Sequence, residues 1–344
     1  MTHAARGADA PLASPHATGS ATGSATGARV GLALLIIYVV WGSTYLAIKL
    51  ADQTLPPLLM AGVRFLVAGV LLYAWSRLRG AARPTRGHWG AALVVGLLLL
   101  ALGNGGVVYA EKLIPSGVAA LLVGMVPLWM ALLDWLRPGG RRPSLLVALG
   151  LICGFGGVAL LIDPAQIAGG TAINLTGAGI VLVGSFCWAA GSLYARSAKQ
   201  APAPLLATGM EMLAGGAILL ALGSATGEWN QFQPAAVSPQ SLLGFVYLIV
   251  FGSLIGFTIY VWLLRSASTS LVSTYAYVNP VVAVALGWAL ADEPLTARTL
   301  LAAAVIVAGV VVISSAHLRP RRRRAAAPER APEVPEAPEI ASAR

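Results

Sequence analysis

Charge is scarce in this sequence: Asp, Glu, Lys and Arg make up 10% of the 344 residues, against about a quarter in an ordinary soluble domain. That excludes a water-soluble globule, which needs a polar surface around its core. Cysteine is nearly missing. Cys153 and Cys187 lie inside apolar stretches without metal-ligand spacing, which excludes a disulfide scaffold and leaves both as packing residues. The four histidines form no cluster with them, and no metal site is expected. There is no GxSxG, HExxH or Walker sequence, so the chain reads as neither an enzyme nor a binder of nucleotide or other cofactor. Any active transport must then draw on a gradient of an ion or of the substrate.

What the sequence does have is apolar length. Hydrophobic residues make up 57% and the mean hydropathy is +0.78. Ten apolar segments fall near residues 30–50, 57–77, 88–109, 115–136, 144–163, 175–198, 203–223, 241–263, 268–291 and 298–317, most close to the roughly 20 residues that span the hydrocarbon core. The expected fold is an all-α polytopic membrane protein embedded in the lipid bilayer. The net charge of +10 does not argue for nucleic acid, because the basic residues sit at segment edges and in the run Arg319, Arg321 to Arg324. Such placement controls topology. Arg77, Arg79, Arg83 and Arg86 follow the second segment, Arg137, Arg141 and Arg142 the fourth, Arg196 and Lys199 the sixth. The even-numbered connections and both termini are therefore expected in the cytoplasm.

The chain also repeats itself. An offset of 147 residues aligns "PLLMAGVRFLVAGVLL" (57–72) with "PLLATGMEMLAGGAILL" (204–220), and pairs Trp41 with Trp188 and Lys49 with Arg196. Farther along each half an offset of 153 matches Pro127 with Pro280 and Gly156 with Gly309. Five spans per copy force the second copy to insert the other way, so the halves are expected to be inverted repeats around a pseudo-twofold axis in the membrane plane. The expected division is a disordered tail over 1–29, a first repeat over 30–163, a connecting loop over 164–174, a second repeat over 175–318 and a basic, then Pro/Glu-rich disordered tail over 319–344.

Arg64 stands in the middle of an apolar span, where a guanidinium costs about 2.5–3.5 kcal/mol unless it faces water or a partner. Its equivalent in the second half is Glu211. The two are expected at matching depth, lining a cavity for a charged or zwitterionic substrate or else locking the halves as a buried ion pair. Trp41, Tyr45 and Lys49 recur on one helical face, with Trp188, Ser192 and Arg196 as their counterparts. "TYAYVNPVVAVALG" (274–287) places Tyr277, Asn279 and Pro280 in a span, and Pro280 and Pro127 are expected to kink their helices. Tyr109, in segment three, and Tyr260, in segment eight, complete the candidate cavity residues. Glu111 beside Lys112 reads as a solvated pair rather than a proton site. Proton transport through Glu211 would make activity pH-dependent.

The ten-span plan together with "WGSTY", "PPLLMAGVRFLVAG", "IPSGVAALL", "VPLW" and "YAYVNPVVAVALG" resembles the EamA family of the drug/metabolite transporter superfamily, and within it the YedA-type exporters. The resemblance implies an inner-membrane secondary carrier that moves small metabolites or drugs outward by alternating access, amino-acid-like or amphipathic compounds being the expected cargo and protons the candidate coupling ion. Uptake is the alternative direction, and a non-transporting scaffold the alternative class. A homodimer is compatible with such a chain. Many members carry a Gly-Glu pair after the fourth span; here "RPGGRRP" has Gly140 where the second half has Glu293 in "ADEPLT".

Overall fold

A computed structural model describes residues 20–137, 144–161, 174–267, 269–272 and 274–318. Within them lie ten long helices and no strand: α1 (Ser20–Ala51), α2 (Pro57–Leu78), α3 (Arg86–Ala110), α4 (Ser116–Leu136), α5 (Leu145–Leu161), α6 (Leu175–Ser197), α7 (Pro204–Ala225), α8 (Pro239–Leu263), α9 (Tyr275–Leu290) and α10 (Ala297–Leu318). Seven are long and apolar enough to cross a membrane, and α5, α9 and α10 are shorter apolar helices. The turn around Gly140, most of the loop 164–174 and the tail 319–344 lie outside the described residues. Helix α1 begins at Ser20, ten residues before the expected boundary at 30. Alanine in "SATGSATGA" has high helix propensity, and a helix already nucleated by the apolar span extends into it at little cost.

Helices at equivalent repeat positions pack on each other: α2 on α7 and α5 on α10. Each repeat's first helix lies against the fourth of the other, α1 on α9 and α6 on α4. Lipid supplies no hydrophobic drive for such contacts, so small residues that let backbones meet carry them. A Cβ on Gly62 would come within 3.1 Å of the Gly216 carbonyl oxygen, and one on Gly209 within 2.8 Å of the Tyr73 amide nitrogen. Gly62 thus meets Gly216 and Gly69 meets Gly209, an antiparallel register. Between α5 and α10 a Cβ on Gly309 would lie 2.7 Å from the Gly150 carbonyl oxygen.

Two features escape the periodicity of the sequence. Gly96–Asn104 in α3 and Leu248–Ile255 in α8 are π-helical, at corresponding places in the two repeats; such stretches widen a helix and concentrate at functional sites. The two prolines also differ. Helix α4 breaks at Gly124 and Met125, just before Pro127, as a kink requires. Pro280 sits inside an unbroken α9.

Gly216→Ala is expected to destabilise the protein by about 1–3 kcal/mol through overpacking, because its Cβ would meet the Gly62 oxygen and Leu66 nitrogen at 2.9 Å. Gly179→Ala, with nothing within 4 Å of the new atom, should be neutral or slightly stabilising. Thermal unfolding of the two variants in detergent compares them.

Candidate functional site

A cavity of about 460 Å³ lies between the repeats, walled by α1, α2, α3, α4, α6, α8 and α9. At one end its lining includes Asp134 and Arg196, near the C-termini of α4 and α6, and Arg196 is exposed. Asp134 is ion-paired there with Arg137 at 2.8 Å. Arg79, Arg86 and Lys199 lie on this side, so we call it the basic face. At the other end Ile48, Val107 and Ala120 are buried and close the floor. The turns beyond that floor carry Asp52, Glu111, Glu228, Asp292 and Glu293, and form the acidic face.

Of the residues singled out in the sequence, Trp41, Tyr45, Arg64, Trp188 and Asn279 line this cavity, with Pro127 and Pro280 in its wall. The indole of Trp41 donates to the Gly252 carbonyl at 3.2 Å and rests among Phe257, Tyr260 and Tyr275, centroids 5.1–5.4 Å away. Tyr260 therefore stands behind Trp41, outside the lining. Tyr275 lines the cavity, whereas Tyr277 packs against the core formed by α4, α5, α6 and α10. Tyr109 is 43% exposed and outside the wall.

Arg64 and Glu211 are held apart by different partners. Arg64 is buried, its Nε donates to the Ser253 hydroxyl at 2.9 Å, its guanidinium lies 4.8 Å from the Phe65 ring centroid, and its Nη1 has no hydrogen-bond partner among the described residues. Glu211 accepts from the Gln200 amide at 3.2 Å and does not line the cavity. Among the described residues, Arg137 and Asp134 form the ion pair found, so Arg64 and Glu211 are not one. The antiparallel register explains this: equivalent positions on α2 and α7 flank the symmetry axis, and the helices turn those side chains to different neighbours. The π-helical stretch of α8 places Gly252 and Ser253 toward Arg64, and a Cβ on Gly252 would lie 3.1 Å from Nη2. Sequence reading missed Ser253, Tyr275, Phe257 and Ser185; only Tyr275 stood inside a motif already noticed.

Two carboxylates from the second repeat hold helix N-termini of the first on the acidic face. Glu228 accepts from the amides of Leu58 and Leu59 at 3.2 and 2.9 Å, at the start of α2. Glu293 accepts from those of Ser116 and Gly117 at 2.7 and 3.1 Å, at the start of α4. Each follows a left-handed residue, Gly227 (φ 75°) or Asp292 (φ 51°), which turns the chain toward the helix end. Each also rests against a glycine, Gly223 or Gly287, where a side chain would collide with the carboxylate. The first repeat keeps the equivalent turn at Gly80 (φ 87°) but follows it with Ala81. Ala203, at the N-cap of α7, has no side chain that could cap it.

The EamA-like transporter family matches residues 29–163 and 175–315, one match per repeat. The chain belongs to the EamA-like transporter family. It is similar to the uncharacterized inner membrane transporter YedA of Escherichia coli (strain K12), 42% identical over 78% of this chain and 85% of that one. The uncharacterized transporter YvbV of Bacillus subtilis (strain 168) is 28% identical, over 78% of this chain and 86% of its own. A solved structure, described as the crystal structure of a protein, superposes with a TM-score of 0.57 at 20% identity, covering 85% of this chain and 99% of that one. It shows the fold. The protein is thus a multi-pass membrane protein of a transporter family.

Removing either cap leaves two helix amides without their acceptor. Glu228→Ala and Glu293→Ala are each expected to lower stability by about 0.5–2 kcal/mol, with Glu→Gln falling between because its amide oxygen still accepts. Denaturation in detergent measures all four variants.

Proposed function

We propose that this protein is a secondary transporter of the inner membrane that exports small amphipathic metabolites or drugs, amino-acid-like compounds among them, by alternating access. The observation that carries the reading is the cavity itself: it lies between inverted repeats, is floored toward the acidic face and reaches the basic face, and holds one deep guanidinium with an unpartnered Nη1. The excess of Lys and Arg on the basic face supports assigning that face, and both termini, to the cytoplasm. The cavity then faces the side from which an exporter loads.

Arg64 supplies a donor for a carboxylate or other anionic group. Trp41, Tyr45, Trp188, Phe257 and Tyr275 supply aromatic surface for the rest of the substrate. The unpartnered carbonyl oxygens of the Asn104 and Asn279 side chains, also in the lining, accept from an ammonium or amide. A zwitterion with an apolar side chain fits this arrangement. Moving such a molecule outward requires the two caps on the acidic face to release and the basic face to close. The twin turn ending in Ala81 offers no carboxylate for that closure.

Proteoliposomes loaded with zwitterionic and anionic amphipathic compounds provide the test. The wild type is expected to move at least one of them, and Arg64→Gln to raise its half-saturating concentration roughly tenfold to a hundredfold, the loss of one charge-assisted hydrogen bond. Unchanged transport by a folded Arg64→Gln protein would reject Arg64 as the anchor. No movement of any compound would count against the carrier.

A further inference from the structure

One cluster is not used by the cavity. Asp52 follows the last residue of α1, one turn beyond the cavity residue Ile48, and Glu111 follows the last residue of α3, one turn beyond Val107. Glu111 is 0% exposed and Asp52 9%, and none of their four carboxyl oxygens has a hydrogen-bond partner among the described residues. The solvated pair with Lys112 expected from the sequence is therefore not formed: Lys112 is exposed and Glu111 is inside.

We propose that Asp52 and Glu111 form the proton-binding site that couples transport to an ion gradient, a reading that rests on the carrier function above. Buried carboxylates without donors are costly, and two that feel each other's charge do not both stay ionised. A proton removes the charge without needing a further ligand. Among the described residues no group of three or more His, Cys, Asp and Glu side chains is arranged to hold a metal ion.

The groups facing the pair come from several elements. Lys49 of α1 donates through Nζ to the backbone carbonyl of Glu111 at 3.2 Å. Tyr45, one turn deeper, lies between the pair and the cavity and feels the charge of Glu111. Glu293, the cap on α4, faces Glu111; Glu228, the cap on α2, and Lys112 face Asp52. Burial holds both carboxyls well above the ordinary range; Asp52 and then Glu293 push Glu111 further up against Lys49, whereas at Asp52 the opposing pull of Lys112 exceeds the push of Glu228 and burial decides.

The position gives the site its action. With protons bound, the pair is neutral and the two caps rest on their helices. When the protons leave, negative charge appears beside Glu293 and Glu228 and pushes both caps away from α4 and α2, opening the acidic face. The closed state binds more protons than the open one, so opening becomes easier as pH rises. A proton taken up by a carboxylate from the acidic face and released into the cavity past Tyr45 would exchange for substrate moving outward.

The test reads the gate without needing a substrate. Spin labels at Gln53→Cys and Pro294→Cys, both exposed turn positions, are placed in full-length protein carrying Cys153→Ala and Cys187→Ala in lipid nanodiscs, and their separation is measured by electron paramagnetic resonance from about pH 5 to about pH 9. The long-distance population is expected to grow with pH, by up to about tenfold per unit for one proton released. Glu111→Gln and Asp52→Asn should flatten that slope. A wild-type distribution that ignores pH overturns the site even if transport is observed, as does an unaltered slope in both variants. A response to sodium against choline at fixed pH overturns the proton in favour of a metal cation. A pH-dependent gate with no transport leaves the site standing and counts against the carrier.

Discussion

Two glutamates holding two helix ends set the shape of this protein. Glu228 and Glu293 each accept from two backbone amides at the N-termini of α2 and α4, where the helix dipole favours an anion and the amides otherwise have no partner. Both carboxylates come from the second repeat and both clasp the first, so they tie the halves together at the acidic face alone. The geometry that aims them is a left-handed residue and a neighbouring glycine. The first repeat preserves the left-handed turn at Gly80 but ends it in Ala81. An inverted duplication that loses an acid on one side holds its two faces unequally.

The rest of the architecture works around that inequality. Glycines in α2, α5, α7 and α10 bring backbones into contact, which fixes the α2–α7 and α5–α10 pairs. Of the seven helices around the cavity, α3 and α8 carry π-helical stretches, α4 is broken before Pro127 and α9 holds Pro280. The irregular stretches put the cavity where the backbone has polar groups to spare. Trp41 uses such a group, the Gly252 carbonyl, and Arg64 uses the Ser253 side-chain hydroxyl beside it in the same widened turn of α8.

The spans and the duplication were legible in the sequence, because bilayer thickness imposes run length and repetition leaves Trp41 opposite Trp188 and Gly62 opposite Gly209. So were five of the nine candidate cavity residues as the structure places them, among them Arg64 and Asn279, whose polarity is conspicuous in an apolar run. Glu211 shares that conspicuousness, yet a linear offset carries no information about which way a side chain turns, and here it turns to Gln200. Tyr275 and Tyr277 stand two residues apart on a helix, about 200° around it, so pattern alone could not choose between them. Glu111 looked exposed because it adjoins Lys112. Glu293, one of the charges that reach it, comes from the second repeat, more than a hundred residues away. The π-helical stretches left no mark in the hydrophobic pattern.

The acidic face is latched and the cavity opens to the basic face, which we propose is cytoplasmic. Asn104→Cys, in the cavity wall, tests it most directly in protein carrying Cys153→Ala and Cys187→Ala, exposed to a membrane-impermeant thiol reagent in vesicles of known orientation. Rapid labelling in inside-out vesicles with protection in right-side-out ones is the predicted result. Labelling chiefly from the outside would contradict the account.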